Sequence, residues 1–440
     1  MNPVQPVRSV NIGICGLGTV ASGTINILNR NKSVIDARSG CNINIVQVGA
    51  RRDNPKCDIS NVNITRDIFD VVNNPDVDIV VELIGGTTVA KELVLTAIAN
   101  GKHIVTANKA LIAHHGDEIF AAAKAKGVTV AFEAAVAGGI PIIKSIREGL
   151  AANNIEWLAG IINGTTNFIL TEMRDKGRAF ADVLTEAQAL GYAEADPTFD
   201  VEGIDASHKL VILASLAFGI PLDVKKVFTE GITKISTEDV NYAEELGYRI
   251  KHLGIARRSA NGIELRVHPT LIPEKRLIAN VDGVMNAVVV KGDAVGATLY
   301  YGAGAGGEPT GSSVVGDIID VARTLLASPE HRVPYLGFQA EFVVEQKHLP
   351  IEEIESANYL RMSAADKPGV LSKIATILSD SGISIEAMIQ KEAKEGDATV
   401  PLILLTNSVQ EKKLMVALSK IETLDSINGA VQRIRVESLK

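Results

Sequence analysis

The sequence predicts an α/β chain in three parts. A doubly wound parallel sheet is expected over residues 1–140, an α+β unit over 141–330, and a βαββαβ unit over 357–440, with a linker at 331–356. Three observations carry that prediction. Apolar strand runs alternate with helical spacing through the first part, which implies a parallel sheet covered on both faces. Longer strand-like runs then follow one another directly, as in an antiparallel sheet. After Pro334, Pro350 and a run of acids, the pattern restarts as strand, helix, strand, strand, helix, strand.

Each element has its own signal. Residues 10–14, 43–49, 77–84, 103–106 and 128–132 are short apolar, β-branched runs and read as strands. Helical spacing occupies 19–30, 88–100 and 109–125. A helix over 141–149 follows Pro141, which suits a first helical position. The second part opens on a strand at 155–162. Helices are expected near 165–176 and 179–190, then a long one over 200–218. Strands return at 249–257, 262–270, 284–290 and 294–301, and a Gly-rich loop at 302–311 opens a helix at Ser312.

Composition bounds the function. With 440 residues, 46% apolar and 22% charged, the chain has the balance of a globular protein of several domains. Net charge is −8 and no basic stripe occurs, so nucleic acid is not an expected partner. The longest apolar stretch, 210–222, contains Pro221 and falls short of the ~20 residues of a membrane span, so no membrane partner is expected. The N-terminus lacks an apolar signal core, and Cys15, Cys41 and Cys57 have neither disulfide nor zinc spacing. A cytoplasmic protein is therefore expected.

The first strand runs into Gly13-Ile-Cys-Gly16-Leu17-Gly18-Thr19-Val20-Ala21. Gly16 and Gly18 let the backbone turn tightly and approach a pyrophosphate, and Ala21 holds the close-packing third position. Leu17, Thr19 and Val20 complete a Rossmann-type turn whose helix N-terminus faces the anion. The second strand ends Arg51-Arg52-Asp53. The two arginines favour the 2′-phosphate of NADP, while Asp53 keeps NAD possible. Thr87, after Gly85-Gly86, and Lys109, after Thr106-Ala-Asn108, fall at the carboxyl edge of the same sheet, where open α/β sheets bind ligands.

The most specific stretch runs from Ala187 through Gly191, Glu194, Asp196-Pro197, Asp200 and Gly203 to Asp205 and Lys209. Asp200 is placed to cap the second helix. Asp205 and Lys209 are four apart and share a helix face flanked by Val201, Ile204, His208, Val211 and Ile212. A buried lysine beside a carboxylate is a candidate proton donor. An exposed salt bridge has the same spacing, although the apolar flanks weigh against it. His114-His115 and His103 stand apart from this stretch and read as structural or exposed.

This stretch resembles the signature of the homoserine dehydrogenase family, matched from Ala187 to Lys209. The resemblance extends over the whole chain, through Phe132–Pro141, Asn163-Gly-Thr-Thr-Asn167 and Tyr301–Thr310. It implies that Lys209 donates a proton to a carbonyl oxygen and that Lys109 is a second lysine at the reacting centre and near the nicotinamide. It implies that Glu194, Asp200 and Asp205 bind the substrate and that Gly191 and Gly306 touch the cofactor. It also implies a monovalent cation such as Na+ or K+ on oxygens of Glu133, Val136, Gly138 and Ile140. The implied reaction interconverts L-homoserine and L-aspartate 4-semialdehyde with NAD(P), by hydride transfer.

Residues 359–371, with Pro368-Gly369 after the first strand, resemble an ACT domain. That resemblance implies an amino-acid effector, threonine by the logic of an end product, held at 366–369, and a homodimer or homotetramer. A purely oligomerising module remains the alternative. Because a linker precedes this unit, a chain ending near Glu345 is expected to keep its activity. Aspartate-semialdehyde dehydrogenase, a related architecture, needs a Cys in its substrate domain, and all three Cys precede residue 60. A phosphoglycerate-dehydrogenase type lacks the 187–209 stretch. A non-catalytic nicotinamide-nucleotide redox sensor with an amino-acid-binding module is the alternative of another class. Its output helix-turn-helix is not evident. Little chain precedes the first strand, so a fused aspartate kinase is not expected.

Overall fold

The computed structural model describes residues 8–60, 62–325, 328–391 and 399–440. Strands β1 (Ser9–Cys15), β2 (Asn42–Gly49), β3 (Asn63–Thr65), β4 (Ile79–Glu82), β5 (His103–Thr106) and β6 (Val130–Ala131) form one parallel sheet. Their order is β3-β2-β1-β4-β5-β6. The order reverses between β1 and β4, and the crevice beyond their carboxyl ends is the ligand position of a doubly wound sheet. β3 is too short to carry a periodic signal and was not expected from the sequence.

The chain later returns to this sheet. The helix Gly307–Thr324, five residues longer at its start than expected, packs Val314, Val315, Ile318 and Val321 against Val10, Ile12, Ile14 and Ile25. It crosses the helix Thr19–Arg30 at backbone contact. A Cβ on Gly23 would lie 2.0 Å from the Gly307 carbonyl oxygen, and one on Gly311 would lie 2.7 Å from the Thr24 amide nitrogen.

The rest of the chain builds a second sheet from β7 (Ile155–Ile161), β8 (Phe228–Thr229), β9 (Tyr248–Ser259), β10 (Gly262–Pro273), β11 (Met285–Gly292), β12 (Gly296–Ala303), β13 (Glu355–Ala365), β14 (Ile385–Gln390), β15 (Thr399–Thr406), β16 (Val409–Gln410) and β17 (Ile427–Val436). Its main order is β12-β11-β7-β9-β10-β17-β13-β15-β14. The last unit has the expected βαββαβ order, with helices Val370–Asp380 and Glu411–Glu422. Its sheet is continuous with that of the middle unit, because β17 pairs with β10 in parallel at Thr270 with Arg435 and Leu271 with Val436.

That continuity corrects the expectation of a removable C-terminal unit. The seam is a buried ionic cluster. Arg266, fully buried, donates to Glu437 (2.6 Å) and Glu264 (3.2 Å) and bonds His268 (2.9 Å). Arg435 donates to Glu411 (2.6 Å) and to Glu230 (3.0 Å). Across the same seam, Tyr359 and Arg361 donate to the buried Asp239 at 3.1 and 2.6 Å. The 331–356 segment is strapped to the body as well: Tyr335 donates to the Val128 carbonyl (2.6 Å), and Leu349 to that of Ile263 (2.9 Å). Cutting at Glu345 would strip these charges of partners and expose a core shared by Ile250, Leu271, Tyr359 and Ile403.

A buried ion pair broken from one side leaves an uncompensated charge. Arg266→Ala should therefore cost about 3–5 kcal/mol of stability, read by chemical denaturation. A loss below about 1 kcal/mol, the value of a surface pair, would show that the seam is not held by these charges.

Candidate active site

The reacting groups come from two helices and the loop after β7. Lys109 opens the helix Lys109–Lys126 at the carboxyl end of β5. Asn108 caps that helix, accepting from the Leu111 amide (3.1 Å), and its side-chain amide donates to the Gly86 carbonyl (2.7 Å). The single helix expected over 200–218 is in fact two, Thr198–Val201 and Ile204–Phe218. The break falls at Gly203, whose φ is +83°, a left-handed value that suits glycine. A Cβ there would lie 3.0 Å from His252 and from Thr229. Asp200 therefore does not cap the long helix; it accepts from Asn163 Nδ2 at 2.8 Å.

Asp205, buried in the first turn of the Ile204–Phe218 helix, gathers the site. Its Oδ2 accepts from Lys209 Nζ (2.7 Å) and Asn163 Nδ2 (2.8 Å), and its Oδ1 meets Lys109 Nζ at 2.8 Å. Lys209 Nζ also donates to the Ile162 carbonyl at 2.7 Å. The pair is thus not an exposed salt bridge, since both Lys209 and Asp205 are buried. Burial alone would raise the Asp205 pKa. The two ammoniums outweigh it and hold the carboxyl well below the usual range. Burial, reinforced by the Lys109 charge, lowers the pKa of Lys209 despite Asp205. At Lys109 burial works the same way, but Asp205, with Asp200 and Glu194 behind it, wins and raises the pKa. Burial raises Asp200.

Of the remaining expected residues, Glu194 is exposed beside this cluster, and Gly191 is an exposed turn residue after the helix Phe180–Ala189. Gly306 precedes the helix Gly307–Thr324, whose first residue packs on Thr19. Arg51 and Arg52 are exposed after β2, and Asp53 is paired with Arg66 at 2.9 Å. Thr87 precedes the helix Thr88–Ala99.

The nucleotide loop fits a dinucleotide. Gly18 leaves the helix Thr19–Arg30 without a capping side chain, and no acid lies in the first turn. A Cβ on Gly18 would meet no atom within 4 Å, so the space over the helix N-terminus is open to an anion, between Leu17 and Val20. Glu82, buried at the end of β4, accepts from the amides of Ile84 (2.9 Å) and Gly85 (3.1 Å) and from Thr106 Oγ1 (2.5 Å). It ties the β4 and β5 edges together.

Around the expected cation ligands, the buried Glu133 carboxylate accepts from the amides of Ile143 and Lys144, each at 2.8 Å. Burial pushes its pKa up to about 7. Its own amide donates to Asp317 (2.8 Å), a second buried carboxyl raised by burial and by Glu133. Gly138 offers its carbonyl to Ser313 (2.7 Å), next to Ala137 at φ +54°. Val136 and Ile140 are buried in the same turn.

Sequence reasoning passed over several participants. Asn163 caps the helix Gly164–Lys176, its Oδ1 accepting from the Thr166 amide (2.8 Å). Its second task, donating to two carboxylates, leaves no local signal. His114 is not isolated: its Nε2 lies 3.3 Å from His208 Nε2. His103 is buried and accepts from the Thr129 amide at 3.0 Å.

A doubly wound sheet with an uncapped Gly-rich phosphate turn, and two lysines sharing a carboxylate at its carboxyl edge, defines a nicotinamide-nucleotide oxidoreductase. Residues 16–133 match the family model described as homoserine dehydrogenase, NAD binding domain; residues 141–319 match homoserine dehydrogenase; and 358–423 match ACT domain. A homoserine dehydrogenase of Pseudomonas aeruginosa is 66% identical over 98% of this chain and 100% of its own length. The crystal structure of a homoserine dehydrogenase from Thiobacillus denitrificans matches with a TM-score of 0.94 and 61% identity, covering 99% of this chain and 100% of that one. A hyperthermophilic archaeal homoserine dehydrogenase in complex with NADPH matches at a TM-score of 0.61 and 27% identity, covering 71% of this chain and 97% of its own. The chain belongs to the homoserine dehydrogenase family. The redox-sensor alternative finds no support in these relatives.

Gly16 sets the phosphate turn, with φ at +101° and an added Cβ only 2.6 Å from the Leu83 carbonyl oxygen. Gly16→Ala should cost about 1–3 kcal/mol in strain and abolish nucleotide binding measured by calorimetry. Unchanged nucleotide affinity would place the pyrophosphate elsewhere.

Proposed function

We propose that this chain interconverts L-homoserine and L-aspartate 4-semialdehyde at the Lys109–Asp205–Lys209 cluster, with NADP as the preferred cofactor. The single observation that carries the reading is one buried carboxylate, Asp205, shared by two ammoniums whose pKa values it and burial drive apart. The nicotinamide ring, when bound, gives or takes the hydride. The protein's part is charge and a proton. Lys109, with its raised pKa, stays cationic and stabilises negative charge on the substrate oxygen. Lys209, with its lowered pKa, is the more acidic ammonium and the better proton donor. Its Nζ has three donors and two acceptors among the described residues, the Ile162 carbonyl and Asp205, which leaves one proton for the substrate. Glu194, Asp200 and Asp205 supply negative charge for the substrate ammonium.

What supports NADP is the pair Arg51 and Arg52 together with the engagement of Asp53 by Arg66, which draws that carboxylate away from a ribose. Gly191 and Gly306 are read as backbone contacts to the cofactor. A monovalent cation such as Na+ or K+ on oxygens of Glu133, Val136, Gly138 and Ile140 would neutralise the adjoining buried carboxyls of Glu133 and Asp317. Threonine is the proposed effector. It would sit at 366–369, where the helix Val370–Asp380 begins without a capping side chain. A homodimer or homotetramer is consistent with edge strand β12, which leaves Tyr301 58% exposed. A cytoplasmic location fits such a biosynthetic enzyme.

In a steady-state assay of homoserine oxidation, Lys209→Ala should lower kcat by roughly 10²–10⁴ with nucleotide affinity nearly intact. Near-wild-type turnover would refute the assignment. Arg51→Ala should weaken NADP binding by about 1.5–3 kcal/mol and spare NAD; equal effects on both nucleotides would mean that the arginine does not read the phosphate.

A further inference from the structure

Two helices carry the reacting lysines, Lys109–Lys126 and Ile204–Phe218. Among the described residues, two polar contacts join them. One is Lys109 with Asp205. The other, one turn further along both helices, is His114 Nε2 against His208 Nε2 at 3.3 Å, with the rings edge to face and their centroids 4.7 Å apart. His208 is buried on the catalytic helix, beside Lys209, while His114 is exposed. The edge of Phe199 meets His208 at 5.5 Å, and Lys109 Nζ lies over the Phe199 ring at 5.6 Å. Contacts thus run from Asp205 through Lys109 and Phe199 to His208, and from His208 to His114, linking the first turns of the two helices.

We propose that His114 is a positioning residue: its bond to His208 fixes the Lys109 helix against the Lys209 helix and so holds the Lys109 ammonium on Asp205. The bond requires one ring to donate and the other to accept. His208 Nδ1 is buried with no hydrogen-bond partner among the described residues, so a proton there would be an unmet buried donor. The proton therefore sits on His208 Nε2, and His114 Nε2 accepts it, with the His114 Nδ1–H left to solvent. The His208 ring is neutral in this arrangement. Burial, and then the His114 ring, hold His208 down to about 4; Asp205 pulls it up and Lys109 pushes it down. The consequence is geometric. Lys109 is a long side chain, a third exposed, ion-paired with Asp205. Its productive position depends on where its helix lies, and a displacement near 1 Å can cost a large factor in rate.

Because His114 is exposed, its replacement spares the fold. His114→Phe keeps a ring on His208 but cannot accept a hydrogen bond. His114→Gln keeps an acceptor at about the reach of Nε2 and loses the ring. The position of Lys109 is read directly by its rate of acylation with acetic anhydride, followed by mass spectrometry. H114F should label Lys109 several-fold faster than wild type, and H114Q should stay close to wild type. The inference also rests, for its catalytic consequence, on the reading of Lys109 and Lys209 as the reacting pair. In homoserine oxidation, H114F should lose roughly fivefold to fiftyfold in kcat, with nucleotide affinity within twofold, and H114Q should recover most of that loss. Equal labelling in all three proteins overturns the clamp, and so does equal slowing in both variants, which would assign the effect to ring packing. A wild-type chain that does not oxidise homoserine, but still gives the labelling contrast, sinks the functional reading and leaves the clamp standing.

Discussion

The site depends on one carboxylate. Asp205 is buried at the start of a helix, where an unpaired charge would be untenable, and it survives as an anion because two ammoniums and an amide converge on it. The same contacts decide the character of the lysines. Burial depresses Lys209, whereas Lys109, nearer the cleft and facing further acids, is held protonated. Removing the carboxylate would leave two like charges side by side. The left-handed Gly203, the loop after β7 and the cap at Asn108 all have the effect of bringing groups to that one atom pair.

Legibility in the sequence followed the range of the interaction. The phosphate turn around Gly16 and Gly18 and the Asp205–Lys209 spacing are local, and both were readable. The βαββαβ order was readable too, because periodicity and turn residues lie within each element. Lys109 could be placed at the sheet edge, but its bond to Asp205 spans two helices and has no local trace. The same holds for the second role of Asn163 and for His114 with His208. The break at Gly203 was missed because the pattern on either side is equally apolar, and only the packing of His252 and Thr229 against that residue explains it. Short pieces such as β3 and the helix Thr237–Glu245 fell below the length at which a period can be counted.

The least legible feature was the seam. A Pro-containing, acidic linker reads as a boundary, and composition says nothing about what happens beyond it. Arg266 and Arg435 lie in strands whose alternation looks like any half-buried edge. Their partners across the seam, Glu437 and Glu230, each belong to the other unit. A polar core of this kind often adds no more stability than an apolar one of equal volume, and here its charge pairs accompany the register of Thr270 on Arg435 and Leu271 on Val436. The ACT unit is thereby part of the molecule's framework rather than an attachment to it.

The timing of synthesis gives that seam a further consequence. Arg266 and Glu437 are 171 positions apart. While the chain is still on the ribosome, β10 has β9 on one side and only the two-residue β8 on the other, and the Arg266 guanidinium lacks Glu437. The strand that closes it, β17, is made only after the 331–356 segment and the rest of the ACT unit. The nucleotide-binding sheet has a different difficulty, since it lacks only the Gly307–Thr324 helix and can be completed earlier. The middle sheet must wait for β17 to emerge, exposed in the interval to pairing with other strands. Premature termination between residue 324 and the start of β17 at Ile427 would then leave the nucleotide-binding sheet finished and the middle sheet without its closing strand.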